Sequence, residues 1–387
     1  MVKTWLLDGI EANVEANTHS AGDAGRFDQQ TCGECGGGQW VSVADGLVQC
    51  GGCGWLGIRA RTVDDESQTS VIEEVKAVAP SGVLRGRYRV IREIGRGAHG
   101  VSILARHVFL DHPCVLKLLP SAAAGASRTD VQRLRKEARA GFQISDPNVV
   151  RVLDCDEIDG VWYFAMEFID GVSLDRIVDA SVEVPWRQAA RMACDSAGGL
   201  TAIHGAGLVH RDIKPSNLIV GRDGRTRVAD LGVAGFASAK PDRSQRVGTL
   251  QYMAPEALSA EGAVGAGGDI YSWGATFYHL LTGRLPHERV GPISELLDRQ
   301  SRPATWPDGM RDDVPAWFRS VIMRCLAIDE AERFQSARAL LAELSRNSDQ
   351  QRSMSESAGA SESFEPRGLA VLPFENVTGS RDDDWLG

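Results

Sequence analysis

No run of apolar residues in this 387-residue chain approaches the ~20 that a membrane-spanning helix requires. The opening stretch, Met1-Val-Lys-Thr-Trp-Leu-Leu-Asp-Gly-Ile, is broken by Asp8 before a signal-peptide core can form, so the expected address is the cytoplasm. An excess of positive charge is missing as well. Lys and Arg number 42 against 52 Asp and Glu, a net charge of −10. That balance offers no basic field for phosphate backbones or anionic lipid, so neither nucleic acid nor a membrane is expected as a partner. No internal repeat is visible. Cysteine is scarce: eight in a chain of this length, without a secretory signal, argue for metal binding or buried thiols rather than a disulfide framework. What is present, 43% hydrophobic and 24% charged residues, is the composition of a folded chain, and its length suggests two or three domains at roughly 150 residues each.

Composition shifts divide the chain. Residues 1–30 are small and polar without a period, as in a flexible arm, and residues 31–58 form a compact cysteine-rich module. Residues 59–84 are an acidic linker carrying Asp64, Asp65, Glu66, Glu73 and Glu74. A long unit covers 85–345. Its β-branched runs predict strands over 88–94, 101–108, 113–119, 149–153 and 161–168, with a helix over 129–143 where Leu134, Ala138 and Phe142 recur at four-residue spacing. After Gly171 the pattern predicts helices near 186–205, 269–282, 313–327 and 335–345. Strands first and helices afterwards predict two lobes with a crevice between them. Residues 346–365 are a Ser-rich linker, and residues 366–387 turn apolar again.

The clustered cysteines read as Cys32-Gly-Glu-Cys35 and Cys50-Gly-Gly-Cys53. Each pair can form a tight knuckle directing two thiolates at one point, and two knuckles complete a tetrahedral zinc site. Four cysteine ligands leave no open position, so the zinc is expected to be structural, and a module with so little core needs it to fold. Redox Cys-x-x-Cys pairs are the competing reading, disfavoured because neither pair sits at a strand-to-helix junction of a βαβ pattern. The module's interior is nearly free of Lys and Arg, so a regulatory protein is a more natural partner for it than nucleic acid. Cys114, Cys155, Cys194 and Cys325 occur in apolar contexts and read as core thiols.

Gly95-Arg96-Gly97-Ala-His-Gly100 lies between two predicted strands, where glycines allow a backbone to approach a triphosphate. Alone the motif is weak, and its strand–loop–strand setting argues against a dinucleotide fold. Behind it come Lys117 in the third strand, Glu137 on the following helix, His210-Arg-Asp212-Ile-Lys214-Pro-Ser-Asn217, Asp230-Leu-Gly232 and Ala254-Pro-Glu256. This order matches the protein-kinase signature set. From about Arg85 to Ser345 the chain resembles the eukaryotic-like Ser/Thr protein kinase family, particularly its bacterial members.

The resemblance implies an α+β fold, a bilobal kinase with a small β-rich lobe and a large helical lobe, preceded here by a zinc ribbon. It implies ATP as cofactor with Mg2+ (or Mn2+) held by Asn217 and Asp230, and protein substrates with Ser or Thr acceptors. Lys117 would hold the α/β-phosphates with Glu137 aiming it, Asp212 would accept the hydroxyl proton, and Lys214 would neutralise the transferred group. The nucleotide site would further include Gly95, Arg96, Gly97, Gly100, Ser102, Val115, Met166, Glu167, Ile169 and Ile219. Glu256 and Arg333 would form a buried ion pair, and Asp269 would anchor the catalytic loop. Lys214, two positions after Asp212, is the Ser/Thr form of that loop.

Some positions depart from the family pattern. Ser102 stands where Val is usual and Val115 where Ala is usual, an approximately volume-conserving swap above the adenine. Gly141, one turn after Glu137, replaces a larger apolar residue and implies a loosely docked helix. The activation segment carries Ser238 and Ser244 as autophosphorylation candidates; Ser244 is preferred because Arg243 and Arg246 flank it, and Arg211 is placed to grip a phosphate. The ending, Gly368-Leu-Ala-Val-Leu-Pro-Phe-Glu-Asn-Val, resembles the first strand of a TolB-like domain, which would make this chain the front portion of a longer signalling protein; a terminal strand docking on the kinase is the other reading. The alternative to an enzyme is a nucleotide-binding pseudokinase scaffold recruiting partners through the ribbon or tail.

Overall fold

The computed structural model describes residues 32, 34–36, 39–44, 47–58, 82–97, 100–119, 138–158, 161–231, 250–258, 265–287 and 293–358. The chain divides between Ser345 and Arg346 into two units. Within the first, three sheets succeed one another. The cysteine module contributes β1 (Trp40–Ala44), β2 (Leu47–Cys50) and β3 (Leu56–Ile58), an antiparallel sheet in the order β1-β2-β3.

The second sheet holds β4 (Val83–Leu84), β5 (Tyr88–Gly97), β6 (Gly100–His107), β7 (His112–Leu118), β8 (Val152–Ile158) and β9 (Val161–Glu167), in the order β4-β5-β6-β7-β9-β8. Alternation decides its faces. Val101, Ile103 and Ala105 on β6 join Cys114, Leu116 and Leu118 on β7, with Tyr163 and Ala165 on β9, in one buried cluster. The intervening residues, Ser102, Val115, Lys117 and Met166, fall on the opposite face, in register across the strands. The sheet starts earlier than the sequence suggests: Leu84, expected at the end of the linker, pairs with Tyr88 and is buried in this cluster. A two-residue strand is too short for a period to reveal.

A third sheet of β10 (Gly171–Ser173), β11 (Leu218–Gly221) and β12 (Thr226–Val228) carries the segments around the expected catalytic loop. The helices are α1 (Leu174–Asp179), α2 (Trp186–Gly205), α3 (Pro255–Leu258), α4 (Ala266–Thr282), α5 (Ile293–Gln300), α6 (Ala316–Cys325) and α7 (Ala337–Ala358), of which α1 and α2 lie against this sheet. Ala189, Met192, Ala193, Ala197, Leu200 and Ile203 line the buried side of α2. By contrast α4 is buried almost all round, as expected of a core helix, and ends on Gly283 in the left-handed conformation. Trp273 of α4 donates from Nε1 to Ser196 Oγ of α2 at 2.9 Å, which satisfies a polar group inside the core. Helix α7 continues to residue 358, well into the expected Ser-rich linker. Once a helix is nucleated by the packed Leu340 and Leu344, adding turns costs little for residues such as Gln, Arg and Glu.

Of the helix expected over 129–143, residues 138–143 are described and helical. Gly141 is buried there, yet a β-carbon on it would meet only Val152 Cγ2, at 3.8 Å, ordinary van der Waals contact. Gly141→Ala is therefore expected to raise stability by up to about 1 kcal/mol, read as a higher midpoint in urea denaturation. Among the described residues no helix is long and apolar enough to cross a membrane.

Candidate active site

Lys117 lies near the end of β7, opposite Ser102 on β6 and Phe164 on β9, and is only 4% exposed. A buried ammonium needs a partner. Its Nζ finds one in Asp230 Oδ2 at 2.7 Å, across the crevice between the sheet and the helical lobe. Burial disfavours charge on Asp230, but Lys117, with Lys214 and His210 beyond it, outweighs that and holds the carboxyl below the usual range. Asp230 has φ +64° and Arg211 φ +65°, left-handed backbone that costs a β-carbon-bearing residue of order 1–3 kcal/mol and gathers at functional sites.

The loop bearing Arg211 is held from below. Asp269, 1% exposed in the first turn of α4, accepts from the backbone N–H of His210 at 2.8 Å and of Arg211 at 2.7 Å, and pairs with His204 Nε2 at 2.8 Å. His210 Nε2 donates to the Ala229 carbonyl at 2.8 Å while its Nδ1 accepts from Asp212 N–H at 3.3 Å. One imidazole thus ties the Asp212 loop to the residue preceding Asp230. Asp212 and Asn217 are both buried. Asn217 Nδ2 donates to the Asp212 carbonyl at 2.7 Å and to its Oδ2 at 3.0 Å, and Lys214 Nζ stands 2.9 Å from the same Oδ2. The Asp212 carboxylate therefore has a fixed orientation with a cation beside it. Such an arrangement can accept a proton and stabilise an anion in one place.

The remaining residues singled out in the sequence have the following surroundings. Arg333 is fully buried and grips Glu256 through two bonds of 2.6 and 2.9 Å. Met166 faces Val115 across the β7–β9 register, and Ile219 on β11 faces Ser173. Glu167 spends its side chain on the Arg151 N–H at 2.9 Å, and Arg96 spends its guanidinium on Glu93 at 3.1 Å. Glu137, Ser238 and Ser244 lie outside the described residues.

Gly100 has a different necessity from the one expected of a phosphate loop. It stands at φ +117°, and a β-carbon there would fall 1.9 Å from the Leu118 carbonyl oxygen of β7. The close approach of two strands already demands glycine. Gly100→Ala is expected to destabilise the fold by about 1–3 kcal/mol, seen as a lower melting midpoint even without nucleotide.

Sequence reading missed His204 and assigned no role to the His210 ring. Both work through backbone carbonyls and a buried carboxylate, which the charged-residue motif does not advertise.

The four cysteines form the second candidate site. All four Sγ atoms lie within 4.8 Å of one another, with Cys32–Cys53 and Cys35–Cys50 each at 3.6 Å. A tetrahedron of sulfurs about 2.3 Å from a zinc ion has edges of about 3.8 Å, so the donor set fits that ion in both chemistry and size. A β-carbon on Gly52 would come 3.5 Å from Cys35 Sγ and 3.8 Å from Cys50 Sγ, ordinary van der Waals contact, so space at this knuckle does not itself demand glycine. Backbone N–H groups of Cys53 and Gly52 draw the Cys50 thiol down to about 7 while burial pushes the Cys53 thiol up to about 12, so the sulfur geometry carries the case for a metal.

Comparison with known proteins agrees with this geometry. The protein kinase domain family model matches residues 88–344. The chain is similar to the serine/threonine-protein kinase Pkn1 of Myxococcus xanthus, 34% identical over 349 residues that cover 83% of this chain and 48% of Pkn1. It is similar to PrkC of Bacillus subtilis, also named a serine/threonine-protein kinase, at 27% identity, covering 67% of this chain and 40% of PrkC. It spans less than half the length of either relative. The crystal structure of the Mycobacterium tuberculosis PknI kinase domain superposes with a TM-score of 0.54 at 29% identity, covering 69% of this chain and 98% of that one. With the match extending over both the sheet that carries Lys117 and the helical lobe that carries Asp212, the chain belongs to the protein kinase family.

Proposed function

We propose that the chain is a Ser/Thr protein kinase of bacterial signal transduction, transferring the γ-phosphate of Mg-ATP to protein hydroxyls and to itself. The observation that carries this reading is the fixed Asp212 carboxylate, oriented by Asn217 and flanked by the Lys214 ammonium at 2.9 Å, with Lys117 and Asp230 across the crevice. A scaffold that only bound nucleotide would have no use for that orientation. Asp212 takes the proton of the acceptor hydroxyl, and Lys214 compensates the charge of the group in transfer. Lys117 holds the nucleotide phosphates, and Glu137 is the residue to aim it when nucleotide is bound. Asn217 and Asp230 hold magnesium, which supplies charge neutralisation between the phosphates. The pairing of Lys214 with Asp212 and the names of the relatives support Ser and Thr over Tyr as acceptors. Ser244 is the preferred site of self-modification.

The four-cysteine module holds a structural zinc. The test for the enzyme is transfer of labelled γ-phosphate to the chain itself and to a generic basic protein, followed by phosphoamino-acid separation and peptide mapping. Label on Ser and Thr, with Ser244 among the sites, is expected. Label confined to Tyr, or no transfer by the wild-type chain, overturns the reading.

A further inference from the structure

The cysteine module does not stand apart from the helical lobe. Leu47 and Leu56 belong to the same buried cluster as α2 and α4. Among the described residues β3 is an edge strand, so the Leu56 backbone N–H and C=O meet no further strand there. Both are met by one side chain. Gln188 on α2, 7% exposed, accepts from Leu56 N–H through Oε1 at 2.9 Å and donates to the Leu56 carbonyl through Nε2 at 2.8 Å. Its amide stands in for the peptide of a missing fourth strand.

Around this buried pair the contacts continue. Gln49 Nε2 reaches the Glu183 carbonyl at 3.3 Å, Arg191 pairs with Glu34 at 2.7 Å, and the same guanidinium lies 4.6 Å above the Trp55 ring. Glu34 sits between two of the cysteines in sequence and Gln49 immediately precedes a third. The contact residues are therefore shaped by the same turns that the cysteines close. At its other end α2 carries His204, which bonds Asp269 beneath the catalytic loop.

We propose that the module is a metal-dependent clamp acting in cis, with the α2 surface around Gln188 and Arg191 as its docking partner, so that zinc occupancy and the stability of the helical lobe are thermodynamically linked. The proposal rests on the zinc reading above. Zinc holds the turns, the turns hold Leu56, Glu34 and Gln49 in position, and these grip α2 and, through Gln49, the Glu183 carbonyl just before it. Linkage is reciprocal: if bound zinc stabilises the docked lobe, then docking on α2 tightens the hold on zinc by the same factor.

The experiment uses the full 387-residue chain, wild type, Gln188→Ala and Arg191→Ala. Zinc per chain is measured first, then its affinity by equilibrium competition with a chromogenic chelator, then thermal unfolding with and without chelation. One zinc per chain is expected, with chelation lowering the wild-type unfolding midpoint by about 5 °C. Zinc affinity should be about tenfold weaker in Gln188→Ala and about threefold weaker in the milder Arg191→Ala, which removes only the partly exposed contacts. Should Gln188→Ala not fold, Arg191→Ala carries the comparison. A chain that holds no zinc overturns the zinc reading itself. A zinc-bound chain whose midpoint is unmoved by chelation, or whose folded variants hold zinc with the wild-type affinity, overturns the clamp and leaves the zinc reading standing.

Discussion

Replacing Asp212 by asparagine is expected to lower the phosphotransfer rate about 10²–10⁴-fold, the range that a positioned general base supplies, while nucleotide binding changes little. Asparagine matches aspartate in size, and its amide oxygen can still accept from Lys214 Nζ and Asn217 Nδ2, which now stand 2.9 and 3.0 Å from the carboxylate. The fold around it is thus retained. What is lost is the proton acceptor. On the proposed reading nucleotide contacts belong to other elements, chiefly Lys117 on β7, so affinity for a fluorescent ATP analogue should stay within about twofold of wild type. The measurement is labelled phosphate incorporation under saturating Mg-ATP alongside that affinity. Equal incorporation by Asp212→Asn and wild type would remove Asp212 from the chemistry and favour a scaffold.

The second large effect concerns stability. Arg333→Met is expected to destabilise the chain by about 3 kcal/mol, near the lower end of the range for breaking a buried ion pair. Arg333 is fully buried and donates not only to Glu256 but also to the carbonyls of Ala327 at 2.9 Å, Gly267 at 3.1 Å and Ile328 at 3.1 Å. Methionine fills part of the volume and satisfies none of these acceptors. Because Glu256 keeps partial contact with solvent, water can reclaim its carboxylate, which places the loss toward the smaller figure. Glu256→Gln should cost less, since the amide oxygen still accepts from Arg333. Urea denaturation of the three proteins measures both values, and an Arg333→Met midpoint equal to wild type would deny the pair its structural role.

Much of the candidate site was readable because kinase chemistry concentrates its charged residues in short stretches. Asp212, Lys214 and Asn217 lie within six consecutive residues, and the structure brings them to hydrogen-bonding distance as the loop's own geometry requires. Ser102 and Val115, set together above the adenine by the resemblance, share one face of β6 and β7 with Lys117. Other features left weaker traces. The short strand at Val83–Leu84 is below the length at which a period exists, and the extension of α7 depends on helix propagation beyond its packed turns. Gln188 did leave one: a polar residue one turn before Met192, on the apolar face of an amphipathic helix, where it must find partners if buried.

The sequence by itself determined the family and the short motifs that gather Asp212, Lys214 and Asn217 in one loop and pair the four cysteines, since each depends on residue types at short spacing. Only the tertiary structure decided that Gly100 is required by the Leu118 carbonyl, that His204 and Asp269 hold up the catalytic loop, and that the cysteine module grips α2. Those contacts join residues far apart in the chain, 132 positions in the case of Leu56 and Gln188, and no local pattern records which distant backbone group a buried polar side chain will meet.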